Sequence, residues 1–189
     1  MNVTKITLVL GTAREGRASD MPARWMVEML EERDDIALTS VDVRDFQLSR
    51  TYEAWNDHED NPLVGTWRQI ANDSDGFIIM TPEYNHGYPG ELKILLDSAF
   101  SEYRDKPVML VGLSGGNFGG ARVVDHIKPV LTAMGMRPIG ADVHFSSIDE
   151  TFSDGGEIDT DVVDDYTERV NEAVASLLDH AQQMRSVRM

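Results

Sequence analysis

Residues 6–19 read ITLVLGTAREGRAS, a run of apolar and β-branched residues that changes abruptly into a polar loop with two glycines and two arginines. The apolar run stops at Gly11, and residues 20–33 then place apolar side chains at the spacing of one helical face. A strand, a short loop and an amphipathic helix in this order are typical of a βαβ unit. The stretch therefore predicts the start of a parallel α/β fold.

The remainder of the chain repeats this alternation. Further strand patterns occupy residues 36–43, 76–80, 108–111 and, more weakly, 139–145. Helical patterns occupy residues 63–72, 90–102, 120–134 and 162–184. Short strands that are apolar on both faces belong to parallel sheets covered by helices on both sides. We predict one domain over residues 1–189, a flavodoxin-like three-layer α/β sandwich whose five parallel strands follow the order 2-1-3-4-5.

Composition limits the chemistry that this chain performs unaided. The sequence has no cysteine, which excludes disulfides, thiolate nucleophiles and iron–sulfur clusters. If the protein handles electrons, their carrier must therefore be bound from outside. The histidines show no spacing typical of metal ligands, so we expect no metal site.

The chain is strongly acidic, with 33 Asp and Glu against 17 Lys and Arg and a net charge of −16 at pH 7. This charge argues against nucleic-acid binding and requires any phosphate site to be locally positive. Two explanations for the acidity stay open: an ordinary acidic surface, and adaptation to a salty cytoplasm, where screening over about 3 Å at 1 M tolerates it. Because no membrane-spanning run or signal-peptide pattern occurs, we expect a cytoplasmic protein with no membrane partner.

The loop at residues 11–19 has the composition of an anion site. Backbone N–H groups at the start of a helix favour a phosphate, and the hydroxyls of Thr12 and Ser19 add donors. Arg14 and Arg17 add positive charge, which is conspicuous in a chain this acidic. We therefore favour a site for a phosphomonoester.

Other interpretations of this loop are weaker. The dinucleotide pattern Gly-x-Gly-x-x-Gly is absent. A Walker A loop matches at Gly11 and Gly16, but Arg17 and Ala18 stand where Lys and Ser or Thr are required. Nucleotide hydrolysis then loses its chemical basis. The interpretation of the loop as an ordinary βα turn with solvated arginines stays open.

Two further loops follow the third and fourth predicted strands. Residues 81–93, TPEYNHGYPGELK, combine prolines and glycines that fix the backbone with aromatic residues that suit a flat ligand. Residues 114–122, SGGNFGGAR, hold four glycines in six positions and precede a helix. Such a loop permits close approach of a ligand edge, and the helix dipole favours negative charge there. Because all three loops follow strands of one parallel sheet, we expect them to meet at its carboxyl edge.

Together the three loops resemble the NADPH-dependent FMN reductase family, a flavodoxin-like group that includes quinone, azo-dye and chromate reductases. The resemblance covers residues 3 to about 140 and rests on three motifs, Gly11-Thr12-x-Arg14, Pro82-Glu83-Tyr84-Asn85 with Pro89-Gly90-x-Leu92-Lys93, and Ser114-Gly115-Gly116 with Gly119-Gly120-x-Arg122. One departure follows Lys93, where Ile94-Leu95-Leu96-Asp97-Ser98 replaces the family's Asn-Ala-hydrophobic-Asp-Trp. The missing tryptophan bears on a subunit contact and not on the flavin residues.

The resemblance implies FMN as bound cofactor and NADPH, with NADH possible, as reductant. It implies three groups of cofactor-binding residues: Thr12, Arg14, Arg17 and Ser19 at the phosphate; Pro82, Glu83, Tyr84, Asn85, His86 and Gly87 along the ribityl chain and rings; and Ser114, Gly115 and Gly116 at the pyrimidine edge. It implies no catalytic side chain, because the flavin carries the redox chemistry. A homodimer or homotetramer is implied as well.

The resulting hypothesis is a ping-pong reductase that passes hydride from NADPH through FMN to free flavin, a quinone or a similar small acceptor. The alternative is a flavodoxin-like one-electron carrier that binds FMN without direct NADPH turnover. The arginines of the first loop disfavour it, because carrier flavodoxins typically bind the phosphate with a Ser/Thr-rich loop. A third alternative is a regulatory relative that binds flavin without turnover.

Overall fold

The structure, a computed structural model, describes residues 3–55, 61–153 and 155–188. Within these ranges the sheet has six parallel strands: β1 (Thr4–Leu10), β2 (Ile36–Asp42), β3 (Gly76–Pro82), β4 (Pro107–Leu113), β5 (Arg137–Pro138) and β6 (Val143–Phe145). The strand order is β2-β1-β3-β4-β5, and β6 pairs with β4 as well. The predicted order 2-1-3-4-5 is confirmed, with a sixth strand added.

Six helices accompany the sheet: α1 (Asp20–Glu31), α2 (Pro62–Asp73), α3 (Gly90–Asp97), α4 (Ala121–Ala133), α5 (Ile148–Thr151) and α6 (Val163–Arg188), counted over the described ranges. One core lies between the sheet and helices α1 and α6, where Met26 and Val174 are fully buried. The other core lies between the sheet and helices α2, α3 and α4, where Trp67 and Leu92 are fully buried. Helices therefore cover both faces, which explains why β3 and β4 are buried along their whole length. No helix in this part of the chain is long and apolar enough to cross a membrane.

The sequence patterns misjudged two elements. The strand expected near residues 139–145 is shortened to β6 (Val143–Phe145), while β5 lies before it at Arg137–Pro138, and Gly140 between them adopts a left-handed φ of +76°. The helix expected over residues 90–102 ends at Asp97. There the hydroxyl of Ser98 donates to the carbonyl of Ile94 at 2.8 Å, and the Phe100 N–H donates to the Glu102 carboxylate at 3.0 Å. These local bonds compete with continuation of the helix.

The carboxyl ends of β1, β3, β4 and β6 lie at one edge of the sheet because the strands are parallel. The register aligns Leu10 with Met80, and Pro82 with Leu113. The three loops singled out in the sequence therefore leave the sheet side by side.

Candidate active site

A cavity of about 410 Å³ opens at this edge, between the loops that follow β1, β3 and β4. Its walls are formed by Arg14, Glu15, Gly16, Arg17, Ala18, Ser19, Pro82, Glu83, Tyr84, Leu113, Ser114, Gly115, Ile148 and Asp149. Residues from all three predicted groups thus line one space. Five predicted residues are not on its wall: Thr12, Asn85, His86, Gly87 and Gly116.

Two polar groups of the first loop, a hydroxyl and a guanidinium, are not engaged by hydrogen bonds or ion pairs with other side chains that the structure describes. Ser19 lies at the N-terminal end of α1, where its side chain makes no capping bond, and its buried hydroxyl has no hydrogen-bond partner in the described structure. Arg14 is exposed and stacks over the ring of Tyr84, 5.0 Å from its centroid. No ion pair of Arg14 occurs among the described residues. A buried hydroxyl without a partner at a helix start, on the wall of the same cavity as an unpaired cation, is an arrangement that suits an anion.

Thr12 instead joins two loops. It is fully buried, and its hydroxyl lies 3.2 Å from the Tyr84 hydroxyl and 3.3 Å from a carboxylate oxygen of Glu91. The same Glu91 oxygen accepts the Ala13 N–H at 2.8 Å. Thr12 and Glu91 therefore fasten the first loop to the start of α3.

Arg17 is held by carboxylates. Its side chain is 1% exposed, and it pairs with Asp20 at 2.6 Å and with Asp42 at the end of β2. Burial raises the pKa of Asp42, but hydrogen bonds from Arg17 and Arg44 outweigh burial and hold that pKa at about 2. Arg17 is thus far less available to a ligand than its position in the sequence suggested.

A tight turn forms the tip of the second loop. Tyr84 and Gly87 exchange both backbone hydrogen bonds, at 2.9 and 3.0 Å. The two residues between them, Asn85 and His86, have φ of +51° and +66°, a region that residues other than glycine rarely adopt. Both are exposed, so the turn directs them toward solvent rather than into the cavity wall.

The second and third loops are linked by an ion pair. One carboxylate oxygen of Glu83 accepts from Arg122 at 2.9 Å, and the Arg122 guanidinium lies 4.6 Å from the centroid of the Phe118 ring. The other Glu83 oxygen is buried at the cavity and has no partner among the residues described. It is therefore a free hydrogen-bond acceptor inside the site.

The glycines of the third loop have two distinct roles. Gly119 and Gly120 adopt left-handed φ of +54° and +75°, and a Cβ on either would overlap neighbouring atoms at 2.6–2.8 Å. Gly115 and Gly116 lie in open surroundings, where a Cβ would meet nothing closer than 3.5 Å. The Gly116 N–H donates to the Ser114 hydroxyl at 3.0 Å. The first pair of glycines is needed for packing, and the second pair leaves room for a ligand.

A family model described as NADPH-dependent FMN reductase matches residues 4–150, which contain all three loops. The chain belongs to this family. It is accordingly an oxidoreductase that depends on FMN and on NADPH or NADH. The predicted family, enzyme class and cofactors are confirmed.

Several relatives of this FMN reductase agree with the assignment. It is 31% identical to an NAD(P)H-dependent FMN reductase of Schizosaccharomyces pombe over 70% of this chain and 68% of that protein. It is 32% identical to a 2-hydroxy-1,4-benzoquinone reductase of Burkholderia sp over 67% of this chain and 69% of the relative. Among solved structures, FerB, a flavoenzyme NAD(P)H:(acceptor) oxidoreductase from Paracoccus denitrificans, superposes with a TM-score of 0.73 at 21% identity. That superposition covers 94% of this chain and 99% of FerB. At this identity, the likeness to FerB shows the flavodoxin-like fold alone.

The residues of this FMN reductase fit the cofactor of its family. FMN carries a phosphate, several hydroxyls and a flat ring system. The unpaired Ser19 hydroxyl and Arg14 suit the phosphate, and the free Glu83 oxygen suits a hydroxyl or ring N–H donor. The open flank of Gly115 and Gly116 leaves room for a ring edge.

Several residues at the site escaped the sequence interpretation. Ile148 and Asp149 line the cavity from the segment after β6, whose backbone N–H groups at 147 and 148 donate to the carbonyls of Gly116 and Ser114. Glu91, Asp20 and Asp42 organise the first loop from outside it. Within the second motif, Glu91 occupies the unspecified position between Gly90 and Leu92, so no motif pointed to it.

Proposed function

We propose that the cavity binds FMN and that the protein passes reducing equivalents from NADPH or NADH to a small acceptor, free flavin or a quinone, in a ping-pong cycle. The observation that carries the proposal is the buried, unpartnered Ser19 hydroxyl beside the unpaired Arg14. Because the chain carries a net charge of −16 and the cavity wall also contains Glu15, Glu83 and Asp149, binding of a phosphate there would depend on Arg14 and on the donors at the start of α1. FMN, when bound, supplies hydride transfer, while the protein supplies binding and electrostatics.

Arg14, Ser19 and the N-terminal end of α1 would hold the phosphate. The positive end of the 12-residue helix α1 favours an anion, and the Ser19 hydroxyl supplies a donor there. The Arg14 guanidinium, which now stacks on Tyr84, would donate hydrogen bonds to phosphate oxygens.

Residues of the other two loops would orient the remainder of the cofactor. Pro82, Glu83 and Tyr84 line the cavity from the second loop, and Ser114 and Gly115 line it from the third. The N-terminal end of α4, directly after the glycine-rich loop, would stabilise negative charge that develops at a nearby ring edge during reduction. No side chain is required as a general acid or base.

The acceptor class rests on the relatives and on the shape of the site. The Burkholderia relative is named for a benzoquinone substrate, and other relatives are named as FMN, quinone or azo reductases. The cavity opens to solvent at the carboxyl edge of the sheet, where donor and acceptor would enter it in turn. Use of one opening by both substrates is the physical basis of the ping-pong cycle.

The test is steady-state oxidation of NADPH and NADH by protein loaded with FMN, with a benzoquinone or free FMN as acceptor. Parallel lines in double-reciprocal plots at several acceptor concentrations are the expected result. A one-electron carrier would bind FMN but oxidise NADPH only slowly, and a regulatory relative would show no turnover. Protein that stays colourless with added FMN at both low and high salt would refute the proposal.

We also propose that the chain forms a homodimer or homotetramer through one apolar face. Trp55 and Phe100 are 73% and 50% exposed and flank a mainly apolar cavity of about 740 Å³ near the ends of α3 and α4. Large exposed apolar groups gathered in one place mark interaction surfaces. Sedimentation at high salt, where repulsion between acidic copies is screened, should give a dimer or larger species that Trp55→Ser shifts toward monomer. A wild-type monomer at all concentrations would contradict this.

A further inference from the structure

Arg17 lies in the loop that would receive the phosphate, yet every donor of its guanidinium is already used. The group has five N–H donors. Its Nε and Nη2 donate to one oxygen of Asp20 at 2.8 and 2.6 Å, and Nη1 and Nη2 donate to the two oxygens of Asp42. Nη1 also donates to the carbonyl oxygen of Thr12. No donor is left for a ligand while these bonds persist.

The charge around Arg17 is also balanced. Arg44 pairs with Asp42 at 2.7 Å and lies 3.5 Å from Asp20, so two arginines face two carboxylates. A phosphate therefore meets no surplus positive charge here, unlike at Arg14. The Asp20–Asp42–Arg17–Arg44 cluster is an internal, neutral ion network.

The bonds of Arg17 join three segments that are separate in the sequence. The Thr12 carbonyl is near the start of the loop, Asp20 begins α1 and Asp42 ends β2. Both ends of the loop, at residues 12 and 20, are thus tied to the neighbouring strand through one side chain. The loop between them, from residue 13 to residue 16, is exposed, and its other restraints lie at its start, where the Ala13 N–H donates to Glu91 and Arg14 stacks on Tyr84.

We propose that Arg17 is a positioning residue that does not bind the phosphate. It fixes the loop between Thr12 and Ser19, through Asp42, in the shape that lets Ser19 and the N-terminal end of α1 hold an anion. This inference rests on the proposed function, in which that loop receives the FMN phosphate. The direct and the positioning roles differ in what they predict for Asp42.

The experiment measures dissociation constants of FMN and of riboflavin, which lacks the phosphate, by quenching of flavin fluorescence. Asp42→Asn and Arg17→Met are each expected to weaken FMN binding by roughly tenfold or more, with little change for riboflavin. The double variant should be no worse than either single one, because both changes break the same restraint. If Arg17 bound phosphate directly, removing the competing charge of Asp42 would leave FMN binding unchanged or tighter.

Two further variants keep the result interpretable. Arg44→Ala removes a cation from the same cluster without touching the Thr12 carbonyl, and we expect near wild-type binding. Arg17→Lys keeps the charge but cannot form the five bonds, so positioning predicts loss of FMN affinity where a direct charge contact predicts retention. Arg17→Lys takes the place of Arg17→Met in the experiment if Arg17→Met does not fold. Loss of FMN affinity in the Arg17 variants without loss in Asp42→Asn would overturn the inference.

Failure of the proposed function gives a different pattern. In that case Arg14→Ala would not discriminate between FMN and riboflavin, whatever the Arg17 and Asp42 variants do. A selective FMN loss in Arg14→Ala together with unchanged binding in Asp42→Asn would reject only the positioning role.

Discussion

Replacing Arg14 by alanine is expected to weaken FMN binding by roughly 10- to 100-fold and to leave riboflavin binding nearly unchanged. A hydrogen bond to a charged group contributes about 1.5–3 kcal/mol, and 1.4 kcal/mol corresponds to a factor of ten. Arg14 has no carboxylate partner in the described structure, so no ion pair within the protein neutralises its charge. The measurement is a pair of fluorescence titrations, one with each flavin.

The matched control is Arg24→Ala. Arg24 is an exposed arginine on α1 whose contact is a hydrogen bond to the Gly155 carbonyl at 3.2 Å, away from the cavity. Both variants make the net charge of the protein more negative by one. A difference in FMN affinity between them therefore reports where the lost charge lies and not the change in net charge. The effect of Arg14→Ala should also shrink at 1 M salt, because the exposed cation is then screened within about 3 Å. An equal loss for FMN and riboflavin would show that Arg14 does not contact the phosphate.

Replacing Gly120 by alanine is expected to destabilise the fold by about 3 kcal/mol or more. A left-handed backbone costs an L-residue roughly 1–2 kcal/mol, and φ at Gly120 is +75°. The added Cβ would also lie 2.6 Å from the backbone nitrogen of Leu113 and 2.9 Å from the Cα of Gly112. Both atoms belong to the backbone of β4, a buried interior strand that cannot shift to make room. For a chain of this size the melting temperature should fall by roughly 6–12 °C.

Gly116→Ala is the control in the same loop. Gly116 has no left-handed φ, and its nearest neighbour to a new Cβ is the Ser114 hydroxyl at 3.5 Å. We expect its melting temperature to stay within about 2 °C of the wild type, as for most surface substitutions. Equal destabilisation by the two alanines would show that the loop, rather than the packing of Gly120 on β4, sets the stability.

The order of strands and the meeting of the three loops were predictable because both depend on local patterns. Apolar runs such as residues 76–80 reveal buried strands, and a parallel sheet places the loops after them at one edge. The break between β5 (Arg137–Pro138) and β6 (Val143–Phe145) was not predictable from such a pattern. It depends on how β5 and β6 each pair with β4 at different places.

The partners of individual side chains were the least predictable part of the site. Thr12 and Arg17 look alike in the sequence as phosphate ligands, but their partners Glu91 and Asp42 lie 79 and 25 positions away. The four glycines of the third loop also cannot be distinguished from one another in the sequence. Left-handed φ and the close approach of β4 and His144 distinguish Gly119 and Gly120 from Gly115 and Gly116. Such distinctions arise from tertiary packing, which local spacing does not encode.

The unpartnered oxygen of Glu83 has a consequence for the driving force of the reaction. A fixed acidic group in the wall of a redox pocket makes it costlier to add electrons to whatever lies beside it, and the arginine on its other side compensates only part of that cost. The midpoint potential of the prosthetic group would therefore be lowered. A lower potential would make the reduced group a stronger electron donor to acceptors.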